Sequence, residues 1–170
     1  MYLVKAVKED LQSIMRLVHD AQAYLASKQI DQWQDGYPDK GRILNDILNG
    51  ESYIVKNEEN QAIGTTMFTT HPESTYERIE GGWLTDKKNR YGVIHRMAVA
   101  ASARKQGVAK FIFKNCEEAL KEMRVDSMRI DTHEENETMQ GLLKNLGYTY
   151  CGVIYLESGG KRLAYEKLLS

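Results

Sequence analysis

The hexapeptide Arg104-Lys105-Gln106-Gly107-Val108-Ala109 most constrains how this chain can fold, because it lies between an apolar strand-like run, Val93 to Val99, and an amphipathic helical run, Val108 to Met123. A strand that turns tightly into a helix, with Gly107 and the small Ala109 in the turn, brings several backbone N–H groups toward one point. The helix dipole favours negative charge there too. The turn therefore reads as a cradle for a pyrophosphate. Read more plainly, Gly107 ends one element and begins another, with Arg104 and Lys105 as solvated charges. Neither the two-glycine loop of nucleotide triphosphatases nor the three-glycine dinucleotide fingerprint is present.

Around the turn, hydrophobic spacing predicts the elements. Leu3 to Val7 reads as a strand, and Asp10 as the cap of a helix carrying Leu11, Ile14, Met15, Val18 and Leu25 at helical spacing. The segment Ile30 to Pro38 breaks the period, which resumes from Asp39 to Asn49 and stops at Gly50. Ser52 to Lys56 and Ala62 to Thr69 predict an antiparallel hairpin around Asn57-Glu58-Glu59-Asn60. Thr70 to Tyr91 is the longest irregular stretch. After the helix from Val108, Met128 to Asp131 reads as a strand, and Met139, Leu142, Leu143 and Leu146 as a helical stripe closed by Gly147. Tyr148 to Leu156 and Arg162 to Lys167 are expected strands around Ser158-Gly159-Gly160. This order predicts a mixed α/β sheet with helices on both faces.

The 170 residues suit one domain that buries roughly two thirds of its unfolded surface. A formal net charge of -1 exerts no general pull toward nucleic acid or anionic membrane, and no basic patch or stacking platform supports a nucleic-acid module. Cys116 and Cys151 lack metal-ligand spacing and read as buried thiols in a reducing compartment, and no metal site is expected. With no leader-like segment and no apolar run of the roughly 18 residues a membrane span needs, the cytoplasm is the expected location.

Arg104, Gly107 and Ala109 resemble the Arg/Gln-x-x-Gly-x-Gly/Ala signature of the GCN5-related N-acetyltransferase (GNAT) family, which holds the pyrophosphate of acetyl-coenzyme A. Arg96-Met97-Ala98-Val99 resembles the family's fourth strand, and Asn136 with Leu142 to Tyr148 its closing helix and following turn. The match covers roughly the whole chain. It implies a single domain over residues 1–170 with a mixed, mostly antiparallel twisted sheet, helices on both faces, and a central parallel strand pair that splays to admit the pantetheine arm.

The resemblance also implies roles. Backbone groups of Met97 and Val99, flanking Ala98 beside a strand bulge, would pair with the pantetheine amides, and the Val99 N–H would face the thioester oxygen. Arg104, Lys105, Gln106, Gly107, Val108 and Ala109 would take the pyrophosphate. Asn136 matches the asparagine that bonds the pantetheine arm, and is equally natural as a helix N-cap. An acceptor ammonium of pKa about 10.4 must lose a proton. His95 is the first candidate base, with a buried structural histidine as the other reading, and Glu80 or Glu77 could act through water. His133 ranks below these, and nothing recommends His19 or His71.

One departure stands out. Many family members place a tyrosine, as general acid, where this chain has Leu143; Tyr148 or Tyr150 could substitute, although both read more simply as core or surface tyrosines. Trp33 and Tyr37 in one loop, and Glu77 and Trp83 in the other, are expected to build the acceptor site for a small amine or a peptide. Two functions remain at this level: an N-acetyltransferase, or an acyl-coenzyme A sensor or partner module that transfers nothing. A homodimer through C-terminal strands is open.

Overall fold

The computed structural model describes residues 1–169, in two compact units: Met1–Phe68 with Ile94–Asn115, and Thr69–Val93 with the described residues from Cys116 onward. Among the described residues, eight strands and four α-helices make a mixed α/β fold, mostly antiparallel.

The first unit opens with β1 (Tyr2–Lys5), a short 3-10 turn at Lys8–Asp10, and α1 (Leu11–Ser27). Of the expected stripe, Ile14, Val18 and Leu25 are buried while Leu11 and Met15 are half-buried, and Leu17, outside that stripe, is buried as well. Asp10 does not cap α1 with its side chain. The 3-10 turn already gives it a helical conformation, and its carboxylate accepts instead from the Val7 N–H at 2.9 Å. Helix α2 (Lys40–Leu48) is capped by Asp39, which accepts from the Arg42 N–H at 2.8 Å. β2 (Ser52–Lys56) and β3 (Ala62–Thr69) form the expected hairpin, with Ile54↔Thr65 and Val55↔Gly64 opposite each other. Asn57 holds its turn by accepting from the N–H groups of Glu59 and Gln61 at 3.0 and 2.9 Å.

Strands in this unit run in the order β1-β2-β3-β5, where β5 spans Tyr91–Val99 and enters the unit from Ile94. Helices α1 and α2 cover one face, where Ile14, Val18, Ile43 and Ile47 cluster with Ile54. Val55 and Gly64 turn to the opposite face, toward the start of α3 (Val108–Glu122). A Cβ on Gly64 would sit 2.7 Å from Val108 Cγ1, so only glycine lets the helix approach this closely.

In the second unit the order is β5-β6-β8-β7-β4, with β6 at Ser127–Thr132, β8 at Lys161–Leu168, β7 at Thr149–Tyr155 and β4 at Glu80–Gly81. β5 and β6 are the parallel pair, in register from Tyr91↔Ser127 to Val93↔Arg129, and β5 itself continues to Val99. The stretch expected to be irregular contains a 3-10 turn at Ser74–Tyr76 and the two-residue β4. That short strand rests on a glycine pair. A Cβ on Gly81 would lie 2.2 Å from the Cys151 carbonyl oxygen, and one on Gly152 2.1 Å from that of Glu80.

The apolar cluster here joins Tyr76, Val93, Ile154 and Ala164, with Trp83 and Tyr91 packed against it. Beside it lies a buried polar centre. Glu166 accepts from Ser127 Oγ and Thr85 Oγ1, each at 2.5 Å, from the Leu84 N–H at 2.6 Å and from Arg129 Nε at 3.0 Å. The Arg129 guanidinium stacks 4.3 Å from the Trp83 ring and 4.1 Å from the Tyr91 ring. Burial alone would raise the Glu166 pKa, but the hydrogen bonds from Ser127, Thr85 and Arg129 hold it below the usual carboxylate value. Cys116 and Cys151 are buried free thiols, and burial, with Glu117 nearby, pushes Cys116 up to about 12.

Candidate active site

Strand β5, the turn after it and the first residues of α3 bring together most of the residues singled out in the sequence, all within the first unit. Along β5, Ile94, Arg96 and Ala98 are buried, whereas His95, Met97 and Val99 are half-buried. Within the continuous strand, Arg96 has a left-handed φ of 51°. A non-glycine residue in that conformation costs about 1–3 kcal/mol and persists only where its surroundings hold it.

The holding contacts are explicit. Arg96 Nε donates to Asp46 Oδ2 at 2.6 Å and Nη2 to Asp46 Oδ1 at 2.7 Å, while Nη1 donates to the Tyr37 hydroxyl at 2.8 Å. Burial alone would lower the Arg96 pKa, but bonds and charge from Asp46 and Tyr37 raise it, so the guanidinium stays charged. The neighbouring His95 carbonyl accepts from Thr66 Oγ1 at 3.3 Å.

Beyond Val99 the chain is pinned to β3 and α1. The Ala100 N–H donates to the Ile63 carbonyl at 2.9 Å, and the Ala101 N–H to Asp20 Oδ2 at 2.9 Å. Arg104 donates to the Asp20 carbonyl at 2.9 Å and lies 4.6 Å from the Tyr24 ring, so its side chain anchors the turn to α1. Lys105 and Gly107 both take left-handed φ, 62° and 80°, around the exposed Gln106. Alternating conformations of this kind point successive N–H groups into one concavity. The Phe111 N–H bonds to the Gly107 carbonyl at 2.9 Å, so the unpaired first N–H groups of α3 begin directly after the glycine. A Cβ on Gly107 would meet no atom within 4 Å, which leaves open space at the concavity. Left-handed Lys105 and Gly107, open space at Gly107 and the start of a helix are the features that a bound diphosphate needs.

The remaining candidates divide between the units. Trp33, left-handed at φ 61°, and Tyr37, 40% exposed, belong to the first unit; the segment 31–38 is tied to α1 by Gln22 Nε2, which donates to the Tyr37 carbonyl at 3.0 Å. Glu77, Glu80, Trp83 and Asn136 belong to the second. Glu77 and Glu80 are exposed, and Glu80 Oε2 lies 3.5 Å from the Tyr155 hydroxyl. Trp83 donates from Nε1 to the Tyr76 carbonyl at 2.9 Å and covers Arg129, so its ring packs within that unit. Asn136 caps α4 (Glu137–Asn145), its Oδ1 accepting from the Met139 N–H at 3.1 Å. The capping reading therefore holds, and it engages Oδ1.

Leu143 is fully buried in α4. Tyr148 is buried as well, its hydroxyl donating to Glu117 Oε1 at 2.9 Å while Lys167 donates to Glu117 Oε2 at 2.8 Å. Burial and the Glu117 charge push the Tyr148 pKa far up, so its proton is firmly held. Tyr150 is 53% exposed, its ring centroid 5.7 Å from that of Tyr165.

Sequence reasoning missed Asp46, Asp20, Tyr24 and Gly64. Asp46 did carry a signal: it sits three residues after Ile43 and beside Ile47, an acid on the buried stripe of α2, and such an acid demands a cationic partner.

Residues 14–148 match the sequence model of the acetyltransferase (GNAT) family. A GNAT-family acetyltransferase from Streptococcus agalactiae 2603 is 35% identical, covering 98% of this chain and 94% of its own, with a TM-score of 0.88. A second, from Listeria monocytogenes 4b F2365, is 22% identical over 98% and 94% of the two chains, with a TM-score of 0.77. The NatC complex bound to Gag peptide and CoA contains a chain that shares the fold, at 17% identity, full coverage of both chains and a TM-score of 0.69. No curated protein sequence matches the chain.

Proposed function

The chain belongs to the acetyltransferase (GNAT) family, and from that premise we propose that it is an N-acetyltransferase, one catalytic domain over residues 1–170 that moves an acetyl group from acetyl-coenzyme A to a primary amine in the cytoplasm. The observation that carries this reading is the turn at Lys105–Ala109, with two left-handed residues, open space at Gly107 and a helix N-terminus behind it.

Acetyl-coenzyme A, when bound, supplies the activated acyl group; no metal is required. The N–H groups from Gln106 to Ala109 hold the diphosphate, with Lys105 adding charge. Arg104 contributes by fixing the turn to α1. Backbone groups of Met97, Ala98 and Val99 align the pantetheine arm, and the Val99 N–H stabilises developing negative charge on oxygen. A donor so aimed is worth about 2.7–4 kcal/mol. His95, or Glu80 through water, takes the proton from the acceptor ammonium. Trp33 and Tyr37 line the acceptor side of the first unit, for a small amine or, as the Gag peptide is to the NatC complex, a peptide, whereas Trp83 is committed to Tyr76 and Arg129.

Tyr148 is a poor proton donor to the departing thiolate, since burial and the Glu117 charge raise its pKa and its hydroxyl already donates to Glu117. A thiol of pKa about 8.5 leaves without help. Leu143, buried at the position where the family resemblance implies a tyrosine, favours the second reading, acyl-coenzyme A binding without transfer. Thiol release measured with a panel of amines and peptides decides between them. Amine-dependent release is expected; cofactor binding without release for every acceptor would leave the sensor reading.

A further inference from the structure

Arg96 combines three properties that do not ordinarily coincide: a left-handed φ of 51°, a place inside a strand, and a buried guanidinium. Its side chain and that of Asp46 are each only 4% exposed, and they meet through two charge-assisted bonds of 2.6 and 2.7 Å. A buried ion pair is weak evidence for stability, because desolvation offsets much of the attraction; its best-attested use is to select one conformation over others. Here the selected conformation is the kink that leads directly into Met97, Ala98 and Val99.

The same guanidinium carries a third contact. Nη1 donates to the Tyr37 hydroxyl at 2.8 Å, and Tyr37 belongs to the segment tied to α1 through Gln22. Arg42 adds only a 4.0 Å contact to Asp46 from a side chain 48% exposed. Asp46 is therefore the group that fixes Arg96, and Tyr37 the group that connects Arg96 to the segment proposed to meet the acceptor.

We propose that Asp46 is a positioning residue for acetyl transfer, holding Arg96 in its left-handed conformation so that the N–H groups of Met97 to Val99 keep their direction, and that Tyr37 couples this grip to the acceptor segment. The inference rests on the acetyl-transfer reading for its consequence in turnover. The grip itself can be tested without turnover.

The test compares Asp46→Asn and Tyr37→Phe with the unsubstituted protein in three measurements: amide hydrogen exchange without ligand, acetyl-coenzyme A affinity by calorimetry, and kcat by thiol release. Asp46→Asn keeps the shape and removes the charge. It is expected to raise exchange in residues 94–99 at least tenfold while β6 is unchanged. It should also lower kcat at least tenfold, with cofactor Kd moving less than threefold because the turn at 105–109 is intact. A merely structural role would lower the melting temperature and leave kcat per folded molecule and the 94–99 exchange pattern unaltered, which would overturn the proposal.

Should Asp46→Asn not fold, Tyr37→Phe decides, since it keeps the buried pair and loses one bond. A three- to tenfold fall in kcat with faster exchange at 94–99 supports the coupling, and no change in either refutes it. If the unsubstituted protein releases no thiol with any amine, the acetyl-transfer reading fails, and the exchange measurement alone still decides the grip.

Discussion

Gly64→Ala should weaken acetyl-coenzyme A binding although residue 64 lies outside the expected cofactor turn. The added Cβ would stand 2.7 Å from Val108 Cγ1 and 3.5 Å from both Ile112 Cδ1 and Val55 Cβ. Carbon atoms prefer about 3.5–4.0 Å, so the Val108 contact is about 1 Å too close while the other two are tolerable. Val108 is β-branched and stiff at χ1, and relief must come largely from movement of the first turn of α3. Overpacking of this kind costs about 1–3 kcal/mol. Val108 follows Gly107 directly, so the displacement reaches the N–H groups of the cradle. If about 1.4 kcal/mol of that strain is expressed in the ligand contacts, affinity falls about tenfold.

The matched control is Gly92→Ala, whose Cβ would lie 2.5 Å from Leu120 Cδ1, toward the other end of the same helix. Both variants should lower the melting temperature, but only Gly64→Ala should raise the calorimetric Kd about tenfold. Equal Kd values for Gly64→Ala and the unsubstituted protein, with the melting temperature lowered, would refute the argument that Gly64 sets the cradle.

Three further outcomes are expected. Gly107→Glu should abolish acetyl-coenzyme A binding in calorimetry while the protein stays folded, because the new side chain enters open space and the left-handed φ of 80° costs only about 1–2 kcal/mol; retained micromolar affinity would contradict this. Glu166 has a depressed pKa when folded, so its stabilisation is complete above the ordinary value of about 4.3 and is lost as pH falls through the lower folded value. Glu166→Gln should therefore cost about 3–5 kcal/mol in urea unfolding at neutral pH and flatten the acid limb of the stability profile; an acid limb unchanged from the unsubstituted protein would count against it. Tyr148→Phe and Tyr150→Phe should each reduce kcat less than tenfold in thiol-release assays, Tyr148→Phe also losing stability through Glu117, and a hundredfold loss at either would identify it as the missing acid.

The elements were legible wherever local chemistry decides them. Apolar spacing in α1 and α2, the Asn57 turn and the glycine at 107 all act over a few residues. What escaped were features set by partners distant in sequence. No local signal predicts that an arginine will adopt a left-handed φ, because the Arg96 conformation depends on Asp46, fifty residues earlier. Arg104 reads as a charge for the ligand, and its engagement by Asp20 and Tyr24 has no local signal. β4 is only two residues long, and its existence depends on Gly81 meeting Gly152 across the pair, which no periodicity reveals. A loop aromatic such as Trp83 reads equally as a packing lid, and what the sequence does not show is that the residue it covers is Arg129.

Titrating the isotopically labelled protein with acetyl-coenzyme A, and following each backbone amide, tests the central claim most directly. Saturable shifts should be largest from Gln106 to Ala109 and from Met97 to Val99, and should vanish in Gly107→Glu. A titration that moves none of these amides would contradict the assignment of this turn as the diphosphate cradle.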